Sequence, residues 1–296
     1  MDEPENALHP MAARAAQRHL YTLAKDPEWQ VMLTTHSPFF VNPLEDHTTI
    51  VRLERARDGT GDHVTPRTYQ ADSLDFDPET KKRLQALQLM DVGLSEMFFG
   101  SYPVLVEGDT EHAAFIAAVV EPQDTLAEEI TVVRARGKAL LLPLIRILHH
   151  FRIPFGIIHD SDAPYYANKK GDLRANGMWG ENDKIFKAIT ECRESGVAVR
   201  HRISLPDFER FLGGDELGKD KPLAAYERIC KDEELRRVVL DRFREMKEGD
   251  EHCPYVGNGK IEDSVNIKLL GEVQTWALMN GVGDDPCYVG AAKSEV

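Results

Sequence analysis

The chain has 296 residues, of which 42% are hydrophobic and 29% charged, a composition typical of one large globular domain or two smaller ones. Its formal net charge of −14 argues against a broad basic surface for nucleic acid, but not against a carboxylate cluster that binds cations. No apolar run of about eighteen residues and no secretory leader is recognised, so no membrane span is expected. The cysteines form no CxxC pair, which predicts reduced thiols and a cytoplasmic location.

The first hundred residues predict two helices and two strands. Residues 10–25 have a helical pattern, and the apolar run VMLTTHSPFF, residues 31–40, predicts a strand. Residues 47–53 alternate like a second strand, and the following Asp58-Gly59-Thr60-Gly61-Asp62 predicts a turn. Residues 79–100 predict a helix.

From residue 103 onward, predicted strands alternate with predicted helices. The strands cover residues 103–106, 130–133, 154–159 and 197–204, and the helices cover 111–120, 138–151 and 183–194. Strands separated by helices of this length form parallel βαβ units with right-handed crossovers. The expected fold class is therefore α/β, a Rossmann-like parallel sheet flanked by helices, followed beyond Pro206 by a helical, charged extension.

Carboxylates follow two of these strands. Glu107 ends the first strand in VLVEGDTE, where Gly108 permits a tight turn and Glu111 falls in the first turn of the next helix. Asp160 and Asp162 end the third strand in IIHDSD, and in an extended chain they point to the same face. Ligand sites in open parallel sheets form at the carboxyl ends of the strands, so we expect these acids to converge on one edge.

Carboxylates gathered at one edge repel each other unless cations bind. Oxygen ligands suit Mg²⁺ or Mn²⁺, with Ca²⁺ as an inactive mimic. Two such ions about 4 Å apart can stabilise the attacking and leaving oxygens of a phosphodiester displacement. The alternative is that the acids are solvated side chains at strand ends. The pairing of the two motifs, one βαβαβ span apart, argues against that alternative.

VLVEGDTE followed by IIHDSD resembles the Toprim domain, over roughly residues 100–212, and in particular the nucleases of the OLD (overcoming lysogenization defect) family. The resemblance implies that Glu107 is a metal ligand or a general acid or base. It implies that Asp160 and Asp162 hold a metal ion and that Glu111 supports a second ion. The expected fold is the Toprim fold.

The resemblance also implies an acid after the last strand and a lysine near the site. Asp207 or Glu209, in LPDFERFL, fits the position of the acid, the alternative being a helix-capping role. A lysine could stabilise the pentavalent phosphorus or the leaving oxygen. Lys260, in GNGKIED after the sheet, is the first candidate, and Lys138, in RARGK at a helix start, is the second. Each of the two could instead be an ordinary solvated lysine.

Four further side chains have alternative interpretations. Arg134 and Arg136 could bind a phosphate or be solvated surface residues. His159 could be a metal ligand, although a packed strand histidine is the simpler interpretation. Trp179, in a loop rich in glycine and asparagine, could stack on a base or pack against the core.

The beginning of the chain, DEPENALHP, resembles the Walker B end and D-loop of an ABC-type ATPase, and THSPFF resembles its switch-histidine segment. In that family Asp2 would help to hold magnesium, Glu3 would activate the attacking water and His36 would sense the γ-phosphate. No G-x-x-x-x-G-K-[ST] phosphate loop occurs in the 296 residues, and Met1 stands where an apolar strand should end. We therefore expect the chain to be the C-terminal part of a larger ATPase–Toprim protein.

These features together predict a divalent-metal-dependent DNA endonuclease. Residues 1–98 are expected to be the end of the ATPase domain with a linker helix, 99–212 the Toprim domain and 213–296 a helical extension that completes the site. The resemblance implies DNA as substrate, ATP as a ligand of the full-length protein only, and a missing N-terminal ATPase portion. It also implies a homodimer through the ATPase domain, a helicase as a candidate partner and a role in phage defence or DNA processing.

Two alternatives remain open. A topoisomerase- or primase-type Toprim would be a different enzyme, but no motif around Tyr165, Tyr166, Tyr226 or Tyr255 marks a topoisomerase tyrosine. A DNA-repair scaffold whose Toprim domain does not catalyse would be non-enzymatic, and the full set of acids argues against it.

Overall fold

The computed structural model describes residues 1–58, 61–91, 93–99, 102–213, 220–251, 253–256 and 264–290. The chain divides into two compact units, Met1–Ser101 and Tyr102–Val296. Within those ranges, every helix is too short or too polar to cross a lipid bilayer.

In its described residues, the first unit contains three α-helices and a long hairpin. Helix α1 (Pro10–Leu23) begins with a proline, whose missing N–H costs nothing at that position. Strands β1 (Thr49–Asp58) and β2 (Gly61–Gln70) pair antiparallel. Helices α2 (Pro78–Met90) and α3 (Gly93–Glu96) follow. Helix α1 and strand β1 lie where the sequence predicts a helix and a strand, whereas β2 was not predicted.

Two predictions for this unit are wrong in detail. Residues 31–40 form no strand: Thr34 makes only an isolated bridge to Asp2, and Pro38–Phe40 is a 3₁₀ turn capped by the Ser37 side chain. The helix predicted over 79–100 is interrupted because the Asp91 carboxylate accepts a hydrogen bond from the N–H of Gly93 at 3.0 Å. Local side-chain bonds of this kind compete with regular backbone structure.

The second unit is built on a four-stranded parallel sheet and a small hairpin. Its strands are β3 (Tyr102–Val106), β4 (Ile130–Arg134), β5 (Phe155–Asp160), β6 (Tyr165–Ala167), β7 (Leu173–Ala175) and β8 (Val199–Ser204). The sheet has the order β4-β3-β5-β8, and β6 pairs with β7 separately. Its helices are α4 (Asp109–Phe115), α5 (Leu126–Glu129), α6 (Leu141–His150), α7 (Glu181–Glu194), α8 (Phe208–Phe211), α9 (Lys221–Lys231), α10 (Glu233–Glu248), α11 (Val265–Met279) and α12 (Pro286–Val289).

Helices cover the sheet, whose central strands β3 and β5 are mostly apolar and almost completely buried. Val104, Val106 and Ile158 are fully buried beneath α4, α9 and α10, in a cluster that includes an edge-to-face contact between Phe115 and Phe243 with centroids 5.0 Å apart. Helix α6 contacts β3 and α7, and α7 contacts β8. A parallel sheet flanked by helices confirms the predicted α/β fold class. The β6–β7 hairpin was not predicted from the sequence.

The close approach of α10 to the sheet gives a test of this packing. A methyl group added to Gly156, on β5, would lie 3.0 Å from Met246 Cβ and 3.3 Å from Val104 Cγ2. Because neither the helix nor the strand can yield freely, we expect Gly156→Val to lower the free energy of unfolding by about 1–3 kcal/mol. Urea denaturation followed by circular dichroism measures the change.

Gly271, on α11, provides the matched control. A methyl group there meets no atom within 4 Å. Gly271→Ala should raise the free energy of unfolding by roughly 0.5–1 kcal/mol, because glycine is unfavourable inside a helix. A Gly156→Val variant as stable as the wild type would contradict the close packing of α10 on β5.

Candidate functional site

The acids predicted from the sequence lie at the carboxyl edge of the parallel sheet. Val106 and Ile158 are paired in register on neighbouring parallel strands. Because β3 ends at Val106 and β5 continues to Asp160, Glu107 and Asp160 both lie at the carboxyl edge of the sheet. A cleft of about 310 Å³ opens at this edge, and Glu107, Glu111, Asp160 and Glu209 contribute to its walls. The parallel register therefore brings together side chains that are more than fifty residues apart in sequence.

Glu107 and Asp160 are half-buried, and one carboxylate oxygen of each lacks a hydrogen-bond donor. Glu107 Oε1 and Asp160 Oδ1 are both inaccessible to solvent, and neither has a hydrogen-bond partner. Burial raises the pKa of Glu107 to about 8, with Lys138 opposing the rise and the nearby carboxylates adding to it. Burial, and then the charge of Glu107, raises the pKa of Asp160 well above its usual value. Unpaired buried carboxylates cost free energy that a bound cation would offset.

Glu111 and Glu209 form the opposite side of the cleft. Glu111, only 3% exposed, accepts a hydrogen bond at 3.2 Å from the N–H of Gly108. Its pKa is raised to about 7 by burial and by the charge of Glu209. Glu209 Oε1 accepts a hydrogen bond from Thr110 Oγ1 at 3.4 Å and lies 3.3 Å from Lys221 Nζ. Glu209 thus faces the other acids, although it already has a cationic partner.

Asp207 has a different environment from Glu209. Its side chain caps α8 by accepting the N–H of Arg210 at 2.9 Å, and its other oxygen pairs with the Arg210 guanidinium. The helix-capping alternative therefore describes Asp207. Its charge still contributes to the raised pKa of Asp160.

Lys138 is buried beneath the loop that follows β5. Only 3% of the residue is exposed, and Nζ donates to the carbonyl of Asp160 at 2.6 Å and to that of Ser161 at 3.3 Å. Nζ also pairs with Asp162 Oδ2 at 2.6 Å. Asn182 donates to the Ser161 carbonyl from the other side, at 2.9 Å. Lys138 therefore fixes the backbone of the Asp160–Asp162 loop as well as one of its carboxylates.

Asp162 does not follow the geometry expected from an extended chain. Strand β5 ends at Asp160, and Asp162 has a φ of +64°, in the left-handed region. Its N–H donates to the carbonyl of Pro206 at 2.8 Å, which holds this conformation. The premise that both aspartates continue one extended strand is therefore wrong. Asp162 reaches the sheet edge by a turn, with Lys138 as its partner.

A pair of buried histidines lies behind Asp160, and His201 was not singled out from the sequence. His159 Nδ1 lies 2.8 Å from the Asp160 carbonyl oxygen, and His159 Nε2 lies 2.8 Å from His201 Nε2. Burial lowers the pKa of His159 to about 3 and that of His201 well below its usual value, so both rings are neutral. His159 must then donate from Nδ1, and His201 from Nε2 to His159. His159 is thus a packed strand histidine, as the simpler interpretation has it.

The other side chains that the sequence suggested for phosphate or base binding have different environments. Arg134 and Arg136 both pair with Asp109, at 3.2 and 3.1 Å. Trp179 packs against a buried apolar cluster. Lys260, the first lysine candidate, lies outside the described residues. The contact between His159 and His201 could have been suspected from the sequence, because each histidine lies at an interior position of its strand, β5 or β8.

The donor set fits a divalent cation in its chemistry. The side chains in the cleft offer carboxylate oxygens, which magnesium and manganese prefer, and two of these oxygens are buried without a partner. Among the described residues, no three histidine, cysteine or acidic side chains already surround one point as ligands would. The Asp162 carboxylate instead pairs with Lys138, whose Nζ lies 2.6 Å from Asp162 Oδ2. The residues fit a cation, and binding would draw the acids together.

The first unit brings the acidic start of the chain next to the THS segment. Glu3 Oε1 lies 3.5 Å from His36 Nε2, and Thr34 Oγ1 donates to Asp2. Glu5, which was not identified from the sequence, accepts the N–H of His36 at 2.8 Å. Asp2, Glu3 and His36 are therefore close together, and their roles toward ATP stay predictions.

Comparison with known proteins agrees with this architecture. Residues 98–162 match the model of the TOPRIM domain of overcoming lysogenization defect protein-like proteins. Residues 1–41 match an AAA ATPase domain.

Two curated relatives carry the OLD name. The chain is 26% identical over 223 residues to the OLD nuclease of Thermus scotoductus (strain ATCC 700910 / SA-01), covering 75% of this chain and 42% of that one. It is 22% identical over 251 residues to the Old nuclease of Escherichia phage P2, covering 84% and 40%. The predicted resemblance to the OLD family is confirmed. The chain spans about two fifths of the length of these relatives.

Because Asp160 and Asp162 have different partners at the sheet edge, we expect their substitution by asparagine to change Tm in opposite directions. Because burial raises the pKa of Asp160, its ionisation costs the folded chain stability once the pH rises above about 4. In chelator at pH 8 we expect Asp160→Asn to raise Tm, by about 2–4 °C for each kcal/mol recovered. Asp162→Asn should lower Tm, since Lys138 keeps its buried charge and loses its partner.

Thermal unfolding with and without Mn²⁺ measures both effects. Mn²⁺ should raise the Tm of the wild type by mass action, and should raise that of Asp160→Asn less. An Asp160→Asn variant that is less stable than the wild type in chelator would mean that Asp160 is satisfied as it stands.

Proposed function

We propose that this chain is the nuclease part of an ATPase-coupled OLD-like protein and cleaves DNA with divalent cations bound at the carboxyl edge of its sheet. The observation that carries the proposal is the pair of buried, unpartnered oxygens on Glu107 and Asp160. The OLD-like TOPRIM match and two relatives named as nucleases support it. Glu107, Asp160 and Asp162 would hold one ion, and Glu111 and Glu209 would serve a second.

The chemistry divides between the cations and the side chains. Bound Mg²⁺ or Mn²⁺ would supply positive charge to the phosphate oxygens, and Ca²⁺ would bind without supporting the reaction. Glu107 Oε1 has no donor in the folded chain and is therefore free to bind a cation or to accept a proton from an attacking water. Lys138 orients Asp160 and Asp162 through the loop backbone. Because Lys138 is buried and engaged, Lys260 remains our candidate for the lysine that contacts the phosphate.

The proposed domain arrangement follows from the same contacts. Residues 99–212 would be the catalytic domain, and residues 213–296 would complete it, since Lys221 on α9 pairs with Glu209 at the cleft. Residues 1–98 would belong to the ATPase portion, in which Asp2, Glu3 and His36 act on ATP in the full-length protein. A homodimer through that portion, a helicase partner and a role in phage defence are proposed from the resemblance alone.

Plasmid cleavage tests the nuclease proposal. We expect the wild type to nick or linearise plasmid with Mg²⁺ or Mn²⁺ but not with Ca²⁺. Asp160→Ala should lower the rate by at least about 100-fold, because loss of groups that merely orient ligands already costs 10–100-fold. Asp241→Ala, which removes an exposed acid on α10, is the matched control and should cut normally.

The outcomes separate the alternatives. Wild-type protein that never cuts with any metal would favour the non-catalytic scaffold. Equal cutting by Asp160→Ala would point to a different site or to a contaminating nuclease.

The ATPase assignment gives a separate prediction. No phosphate loop occurs in the 296 residues, so nothing cradles the β- and γ-phosphates of ATP. We expect the chain by itself to release no phosphate from ATP above background in a colorimetric assay. Turnover by the wild type that Glu3→Gln abolishes would contradict this expectation.

A further inference from the structure

The β6–β7 hairpin follows immediately in sequence after the loop that carries Asp160 and Asp162. Strand β6 begins at Tyr165, three residues after Asp162, and β7 ends at Ala175. Asn176 closes the base of the hairpin: its N–H donates to the carbonyl of Pro164, and its Nδ2 to that of Ala163, both at 2.9 Å. The hairpin is therefore fixed at its base, next to the loop that carries the aspartates.

The hairpin is cationic in a chain of net charge −14. Residues 163–180 contain Lys169, Lys170 and Arg174 against the single acid Asp172, and all four are exposed. In the part of the chain that the structure describes, Lys169 and Lys170 have no ion-pair partner, while Arg174 lies a long 3.8 Å from Asp172. Lysines nearer the cleft are already paired, as Lys138 is with Asp162.

The tip that carries the two lysines is held in one conformation. Asn168 Oδ1 accepts the N–H of Lys170 at 2.8 Å and the N–H of Asp172 at 3.0 Å. Gly171 has a φ of +86°, which glycine adopts without strain. Because the backbone of the tip is already held in place, binding of a partner costs little further backbone entropy.

The two faces of the hairpin differ. Tyr165 lies against the end of α12, where a methyl group added to Gly290 would be 3.4 Å from its ring. Tyr166 and Arg174 are paired across the strands, so they share the opposite face, and Tyr166 is 49% exposed there. An aromatic ring beside cations is the combination that binds the sugar-phosphate chain and the bases of nucleic acids.

We propose that the β6–β7 hairpin is a DNA-binding arm. In this arm Lys169, Lys170 and Arg174 contact phosphates that flank the scissile bond, and Tyr166 packs against the nucleotide beside them. The inference rests on the proposed nuclease function for the identity of the partner. Charge complementarity favours this element, because Lys169 and Lys170 have no ion-pair partner among the described residues and follow closely in sequence on the acidic loop.

The reach of the hairpin and the screening of charge in water both agree with this role. Lys170 lies eight residues beyond Asp162, so the two are at most about 26 Å apart. At about 3.4 Å per base pair, that span covers about eight base pairs of a duplex or fewer. Charges farther away than about 8 Å are largely screened at physiological ionic strength. A local cationic arm can therefore hold DNA on a chain whose overall charge repels it.

Removal of the three cations tests the arm. Binding of the full chain to a fluorescein-labelled duplex is measured by anisotropy in Ca²⁺ over a range of salt concentrations. We expect Lys169→Ala/Lys170→Ala/Arg174→Ala to weaken binding at least tenfold. The slope of log K against log[salt] should become shallower by about 2.7, or about 0.9 for each lost phosphate contact.

Two controls accompany that variant. Lys231→Ala/Arg237→Ala/Lys268→Ala removes three exposed cations from α9, α10 and α11 and should change the slope little. The hairpin variant should keep the rise in Tm that Mn²⁺ causes in the wild type, and should regain cleavage at high DNA concentration, with KM raised and kcat nearly unchanged.

The failure of the arm and the failure of the nuclease proposal give different results. Equal affinity and equal salt slope in the hairpin variant and the wild type would overturn the arm and leave cleavage intact. Equal losses in the two triple variants would also overturn it, because the effect would then be general electrostatics. Wild-type protein that neither binds nor cuts DNA would overturn the nuclease proposal itself.

Discussion

Carboxylate oxygens that are buried without a hydrogen-bond donor are the constraint on which the site depends. Moving a charged carboxylate out of water costs several kcal/mol unless a partner offsets it. Glu107 and Asp160 each have one oxygen in that condition, and Glu111 is buried as a whole residue. The free energy that holds them there comes from the sheet and its helices, whose apolar side chains are almost completely buried. The unpartnered oxygens at this edge therefore cost the folded chain stability.

The sheet determines which acids meet. Glu107 and Asp160 lie at the same edge because β3 and β5 are paired in parallel, with Val106 opposite Ile158. Glu111 turns inward because α4 begins immediately after Gly108, which puts its third residue beside the strand end. Glu209 arrives from the far side, on the short helix after β8. Each acid is placed by the end of a regular element, so the geometry of the cleft follows from the geometry of the fold.

The sequence predicted these positions because they depend on hydrophobic periodicity and on two motifs at strand ends. It predicted the helices and strands of the sheet in the right order, and the acids at one edge. The conformation of Asp162 was not predictable, since it depends on a hydrogen bond to Pro206, more than forty residues away. The partnership of His159 with His201 also joins different strands. The β6–β7 hairpin was not predicted because strands of three residues are too short to show alternation of polar and apolar residues.

Lys138 gives the acidic edge its own internal counter-ion. Its ammonium group holds the Asp162 carboxylate and the carbonyls of Asp160 and Ser161, so the loop has a definite shape before any cation arrives. The loop would therefore need no metal ion to reach this shape during folding. In the proposed nuclease, a cation that binds Asp162 would share that carboxylate with the ammonium group. Lys138 would then lower the affinity for the ion and favour an exchangeable metal over a permanently bound one.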